Sequence, residues 1–289
     1  MRTAILTDSN SSITVEEGKA LNIFVIPMPV IIDGESYCES VDFTQEDLYE
    51  SIRQNREISS SQPSPGVILD MWDDIFLQGY EEIVYIPMSS GLSGTCDNAT
   101  QMSLEYEGRV QVVDNHRISV TLRESVLDAK YLADRGRSAK QIKEELERTA
   151  YDSSIYVAVD SLEQLKKGGR ITPVAAALGS ALNIKPVLTI QGERLDAYAK
   201  CRGMKQCEKK MIDAIQKDFE SRFKNYVPEK ISINVAGTLV DPERADAWRR
   251  AVQDAFPWVD VTYTPLSCSI ASHVGIDAAG IGICGMLRE

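Results

Sequence analysis

The chain is poor in histidine, in positive charge and in long apolar runs, and each shortage narrows what it can do. Only two histidines occur in 289 residues, so any imidazole chemistry rests on His116 or His273. Lysine and arginine number 31 against 43 aspartates and glutamates, a net charge of -12. A field of that sign repels phosphate backbones and anionic lipid surfaces, which disfavours nucleic-acid binding and a polybasic membrane anchor. The six cysteines are Cys38, Cys96, Cys201, Cys207, Cys268 and Cys284. No pair has the two-residue spacing of a zinc knuckle or redox motif, and they are too sparse for a small disulfide scaffold. Separate reduced thiols are expected. The most apolar early stretch, "IFVIPMPVII", is interrupted by Pro27 and Pro29 and falls far short of a membrane span. In "MRTAILTDSN" the apolar run is too short for a signal peptide. The expectation is a cytoplasmic protein with no integral membrane association. Internal repeats and low-complexity tracts are also missing.

What is present suits two domains of ordinary size: 43% hydrophobic and 26% charged residues give enough apolar material for buried cores. In the first half, "TAILTD", "NIFVIPMPVII", "EIVYIP" and "RVQVVD" read as strands. The last two are nearly continuous in apolar residues, as parallel strands covered on both faces are. Helices intervene. Thr44 with Asp47 three residues on, and Ser138 with Gln141, are capping boxes; Ser64 followed by Pro65 is a cap with proline at the first helical position. After "SIYVAVD" the character changes. "IKPVLTIQGERLDAYAKCRG" reads as a hairpin turning at Gly192-Glu193, which implies antiparallel pairing. A helix from about Met204 to Phe219, the strand "ISINVAG", a helix from Asp241 to Phe256 and the strand "VDVTYTP" follow. The fold class is therefore α/β, with residues 1–152 as an α/β/α parallel-sheet domain. Residues 153–289 form a second domain, with a mixed sheet and helices on one side. The cleft between them is the default ligand site.

Four polar loops carry the candidate chemistry. "IPMSSGLSGT" crowds Ser89, Ser90, Ser93 and Thr95 around Gly91 and Gly94 at the carboxyl end of a strand, where open α/β sheets bind ligands. It could cradle an anion on the following helix N-terminus or make an ordinary serine-rich turn. As a nucleophile elbow, G-x-S-x-G, it fails at the last glycine, because Thr95 stands there. "SSSQPSP" holds Ser59, Ser60 and Ser61 ahead of a capped helix. "LKKGGRI" gathers Lys166, Lys167 and Arg170, either as a cationic helix end or as a docking corner. "SCSIASHVGIDAAG" places His273 in what reads as a small-residue loop, suited to hydrogen bonding. His116, in "DNHRIS", reads as a cap or surface residue.

Together these loops resemble the DegV family of bacterial fatty-acid-binding proteins, the acyl-binding subunits of fatty acid kinase. The resemblance runs through "LTDSNSS", "SSSQPSP", "IPMSSGLSGT", "LEQLKKGGRITPVAAALGSALNIKPVLTIQGE", "KCRG" and "SHVG". It implies a two-domain fold that buries one long-chain fatty acid between the domains. The carboxylate is then presented to a separate, dihydroxyacetone-kinase-like subunit that makes the acyl phosphate for phospholipid metabolism. The chain itself would be a carrier, neither an enzyme nor in need of a cofactor. By motif, Ser93, Gly94 and His273 would hold the carboxylate, and Ser60 stands where the family usually has threonine. Arg170 and Arg202 match arginines tied to kinase contact and phosphotransfer. Ala175, Ala176, Leu178 and Leu182 of "TPVAAALGSALNI" are candidates for one wall of the acyl pocket. The pattern breaks at "HVGID", where Ile276 and Asp277 replace proline and glycine. Asp277 would repel an anionic head group unless it points away or steadies a protonated His273. Cys96 and Asp97 replace a tyrosine-glutamine pair.

Two rivals stand beside this reading. One is a serine hydrolase with Ser93 as nucleophile and His273 as base, for which no acid partner is identifiable. The other is a carrier for a different amphipathic carboxylate. No P-loop or protein-kinase glycine-rich signature is present, so phosphoryl transfer is assigned to a partner.

Overall fold

The structure, a computed structural model, describes residues 2–177 and 184–288. In the first half, β1 (Thr3–Asp8), α1 (Val15–Leu21), β2 (Phe24–Ile26), β3 (Pro29–Ile32), β4 (Glu35–Cys38), α2 (Gln45–Arg53), β5 (Ile58–Ser60) and α3 (Pro65–Leu77) come first. Then follow β6 (Glu82–Ile86), α4 (Thr95–Ser103), β7 (Val110–Val112), α5 (Ser119–Asp134) and α6 (Ala139–Arg148). The rest of the chain begins with β8 (Ser153–Ala158), α7 (Glu163–Gly168), α8 (Pro173–Ala176), β9 (Lys185–Ile190) and β10 (Asp196–Cys201). It continues through α9 (Met204–Ser221), β11 (Ile231–Gly237), α10 (Pro242–Ala255), β12 (Tyr263–Pro265), α11 (Cys268–Val274) and β13 (Ala279–Gly285).

Among the described residues three sheets form. β2-β1-β6-β7 is parallel throughout, β10-β9-β8-β13-β11-β12 is mixed, and β4-β3-β5 is a small antiparallel sheet. The capping signals act as expected: both capping boxes form, and Ser64 caps α3 with Pro65 at its first position. β9 and β10 form the anticipated antiparallel hairpin.

Three expectations need correction. "NIFVIPMPVII" is not one strand; it divides at Pro27-Met28 into β2 and β3, which belong to different sheets. Proline has no N–H to give a ladder, and the break lets the chain leave the parallel sheet and found the antiparallel one. "VDVTYTP" contributes only Tyr263–Pro265 as strand; Val261 is buried, its N–H donating to the Gln253 side chain at 3.0 Å. His273 stands in the last turn of α11 rather than in a loop, because Ser267 caps a helix there.

α5 ties the halves together. It packs on β1 and also on β8, β11 and β13, so it is buried nearly all round, polar residues included. Its Glu124 and Asp128 both pair with Arg288, the latter at 2.9 Å, and Glu124 accepts from Asn234 at 3.1 Å. A buried carboxylate without such partners would cost several kcal/mol. Close approach is possible because β13 offers Gly282: a Cβ there would meet Val120 and Thr121 at 2.8 and 3.0 Å. α9 and α10 cover the opposite face of the mixed sheet, against Tyr156, Ala158, Ile233 and Val235. Strand alternation turns Ile155 and Val157 the other way, towards α5.

At the end of β1, "DSNS" makes a buried junction. Asp8 accepts from the N–H groups of Asn10 at 2.9 Å and Met88 at 3.0 Å. Asn10 donates to the Met88 sulfur and accepts from Ser267 at 2.8 Å, and Met28 donates to Ser9 at 3.1 Å. One short segment thus fixes the start of the Ser89–Gly94 loop and the cap of α11. Burial raises the Asp8 carboxyl from 3.8 to about 6, partly opposed by the two N–H donors. A carboxyl raised by folding favours the folded state when protonated, and that contribution is lost as pH rises through about 6. Asp8→Asn is therefore expected to flatten this part of the stability profile. Between pH 7 and pH 4 the wild type should gain on the order of 2 kcal/mol relative to the variant in urea unfolding. Parallel profiles for the two proteins would contradict the assignment.

Candidate functional site

One cavity lies between α5, the inward face of the mixed sheet and α11. It encloses ≈ 890 Å³ of non-atom space, counting its open mouth. Most of its wall is apolar: Ile118 and Val120 at the start of α5, Ile155 and Val157 of β8, Ala236 of β11 and Ile281 of β13. Every one of these is less than one-tenth exposed. The polar members of the wall are few, chiefly Ser60, Ser61, Gln62, Ser93, Arg170 and His273.

The local chain explains why they meet. β5 ends at Ser60, and α11 packs against both β5 and α7. This sets Ser60 Oγ 2.7 Å from His273 Nε2 across 213 residues of sequence. The imidazole packs against the end of α7: a Cβ on Gly168 would run into its Nδ1 and Cε1. "KKGG" is thus an accommodation for His273 as well as a helix stop. Burial, then the Arg170 cation beside it, pushes the His273 imidazole down from 6.5 to about 4. It is neutral at pH 7 and keeps one donor and one acceptor nitrogen. Arg170 itself is held by loop carbonyls, with Nε donating to Leu92 O at 3.2 Å and the guanidinium also donating to Gly168 O.

The hydroxyls of the Ser89–Thr95 loop have separate tasks. Ser89 is fully buried, donates to Gly192 O in the β9–β10 turn, and accepts from Gly91 N–H at 3.2 Å. The Ser90 N–H donates to Asp114 at 3.3 Å. Ser93 faces the cavity, shares a 2.9 Å hydrogen bond with Thr95 Oγ1, and accepts from Thr95 N–H as α4 begins. Ser93 is therefore paired with Thr95, and His273 with Ser60. The charge acting on His273 is a cation, not a carboxylate. An imidazole near 4 holds protons too weakly for a general base at neutral pH. The geometry does not assemble the serine hydrolase considered above.

Of the residues singled out in the sequence, the structure gathers Ser60, Ser93, His273 and Arg170 at one cavity. Gly94 does not line it, but stands beside Gln62, whose Oε1 lies 3.4 Å from where its Cβ would be. Ala175 and Ala176 pack in the same hydrophobic cluster without reaching the cavity wall. Leu178 and Leu182 lie outside the described residues. Arg202 is exposed at the β10–α9 junction, away from the cavity, its N–H donating to Gln206 at 2.6 Å. Asp277 points away: it pairs with Arg244 at 3.2 Å, and Ile276 packs near Val30 and Tyr49. His116 stacks on Tyr151 at 4.8 Å, outside this cavity.

The sequence reading missed the apolar wall. Its signal was the period-two alternation of Ile155 and Val157, legible only once α5 is known to cover that face. It assigned Arg170 to kinase contact and phosphotransfer, and in the structure the guanidinium reaches the cavity. Among the described residues no cluster suits a metal ion, no helix is long and apolar enough to cross a membrane, and all six cysteines are free.

Comparison with known proteins agrees with this architecture. A family model described as "Uncharacterised protein, DegV family" matches residues 2–285. The chain is 32% identical over 286 residues to a DegV domain-containing protein of Deinococcus radiodurans, covering 98% of both chains. It is 30% identical over 280 residues to one of Listeria innocua, covering 96% of both. Among solved structures it is similar to a DegV family protein from Thermus thermophilus described for fatty acid binding. That match has a TM-score of 0.86 and 31% identity, and covers 99% of this chain and 100% of that one. It is also similar to DegV of Bacillus subtilis, described as a fatty acid binding protein, with a TM-score of 0.85, 25% identity and 99% coverage of both. With a family model spanning almost its whole length and relatives matched from end to end, this chain belongs to the DegV family.

Proposed function

We propose that the chain binds one long-chain fatty acid in the cavity, acyl tail inward, with the carboxylate at Ser60, Ser93 and His273. The observation that carries this is a mostly apolar chamber whose wall also holds Ser60, Ser93, Arg170 and His273, with Ser119 and Ser269 as further hydroxyls. The solved relatives described as fatty acid binding support the same ligand class. About fourteen methylenes at roughly 0.8 kcal/mol each offer on the order of 11 kcal/mol before ordering costs. The tail supplies the grip. A carboxylate leaving water needs hydrogen bonds, and Ser60, Ser93, neutral His273 and the nearby Arg170 cation meet that need. Gly94, the N-cap of α4, stands off the cavity wall and serves the same anion by positioning the neighbouring Ser93.

In this reading the bound carboxylate is presented to a separate fatty acid kinase, which phosphorylates it, and the acyl phosphate stays in the cavity. Residues 1–152 supply Ser60 and Ser93, and residues 153–289 supply His273, Arg170 and much of the acyl wall. Arg202, exposed and apart from the cavity, acts in partner contact; Arg170 acts at the head group as well as at the partner.

Two outcomes are expected. Ala236→Phe, which fills the chamber, should weaken palmitate binding about a hundredfold in a fluorescent-lipid displacement titration, whereas Ser60→Ala should cost about tenfold or less. Unimpaired binding by a folded Ala236→Phe protein would place the ligand elsewhere. In a coupled assay with the kinase, Arg202→Ala should leave palmitate affinity within about twofold but cut acyl phosphate formation about tenfold. Equal turnover for wild type and variant would remove Arg202 from partner contact.

A further inference from the structure

A second cavity lies directly behind the first. It encloses ≈ 1050 Å³ of non-atom space, counting its opening to solvent, and its walls combine Ile13, Val15, Pro27 and Phe43 with polar residues that include Glu17 and Glu39. Leu266 lines both cavities. The partition is equally thin elsewhere. Ser119 lines the first cavity and Ser12 the second, and their hydroxyls are 3.3 Å apart. Met28 lines the first and its neighbour Pro27 the second. On three separate segments of chain, then, one layer of residues divides the two spaces.

From this arrangement we infer that Leu266 sets the longest acyl chain the protein accepts, by closing the first cavity against the second. The inference rests on the fatty-acid reading above. His273 and Leu266 stand at opposite ends of α11, which runs from Cys268 to Val274. A tail that starts at His273 and follows α11 would meet the Leu266 side chain after about 10 Å, so a long acid must bend along Val120, Ile155 and Val157 before its end reaches Leu266. The backbone there is pinned on both sides: its N–H donates to Gly237 O at 3.0 Å, and its carbonyl accepts from Gln45 Nε2 at 2.7 Å. The side chain is 5% exposed. Shortening it therefore removes the partition while leaving the fixed backbone, and a protruding tail would cover Ile13, Val15 and Phe43. The Ser12–Ser119 pair is a poorer passage, because an alkyl chain crossing it would leave two hydroxyls without partners.

The test is a binding series with saturated fatty acids of increasing length, on wild type, Leu266→Ala, Leu266→Val and Leu266→Phe. In wild type, affinity should rise about fourfold per methylene and turn over at a limiting length. In Leu266→Ala the turnover should move at least two carbons longer, so that the longest acids gain about tenfold or more over wild type. Leu266→Val should move it the same way by less, and Leu266→Phe should shorten it. Should the alanine variant not fold, the valine and phenylalanine proteins decide the matter by the direction of their shifts. An unchanged turnover length in folded variants overturns the role of Leu266 while leaving fatty-acid binding intact. Failure of the wild type to bind any acid in the series overturns the fatty-acid reading, and this inference with it.

Discussion

Apolar volume left open between α5 and the mixed sheet is the constraint from which the rest of the molecule follows. Protein interiors pack to crystal-like density, and unfilled space lined by aliphatic side chains forfeits dispersion contacts. Here the walls are buried Ile, Val and Ala side chains held on rigid elements, so they do not collapse inward. β13 carries glycine on the face towards α5, with Gly282 where the helix must come close and Gly280 at the chamber wall, while Ile281 between them turns to the α9–α10 side. The Glu124–Asp128–Arg288 network anchors the middle of the same helix. A flexible apolar guest restores the missing contacts, which makes ligand burial and protein stability two sides of one interaction.

The polar end obeys a different logic. Neutral hydroxyls and a neutral imidazole are cheaper to bury than charges, and Ser60 and His273 satisfy each other in the absence of a guest. Arg170 is the one cation named among the cavity walls, and its carbonyl partners keep it from needing a carboxylate of its own. On the proposed reading, an arriving carboxylate would meet a donor set already oriented, in a protein whose overall charge would otherwise repel it. The same arrangement explains why Ser93 and His273 in one cavity wall do not amount to hydrolase machinery: Ser93 is paired with Thr95 and the imidazole with Ser60.

Local signals in the chain were legible where the physics is local. Thr44 with Asp47, Ser138 with Gln141, and Ser64 with Pro65 set helix starts that the structure reproduces, and Gly192 marked a true hairpin turn. Long-range consequences were not. The divorce of β2 from β3 at Pro27-Met28 depends on which sheet each strand finds, and that is a tertiary choice. α11 was hidden because "SCSIASHVG" is short and small-residued, and its cap, Ser267, is stabilised by Asn10 from the far end of the chain. The Ser60–His273 pair could not be derived from spacing at all. Family resemblance supplied both residues, and only the small antiparallel sheet explains how they come to touch. Arg170 shows the reverse case: its motif was visible, but its direction was set by Leu92 O and Gly168 O.

The central claim is that the chamber exists to hold an acyl chain. Native mass spectrometry of the protein as purified, followed by solvent extraction and lipid analysis, tests it most directly. The account predicts a mass excess matching one long-chain fatty acid per chain, lost on denaturation and recovered in the extract. A bare protein mass that stays bare after incubation with palmitate would contradict it.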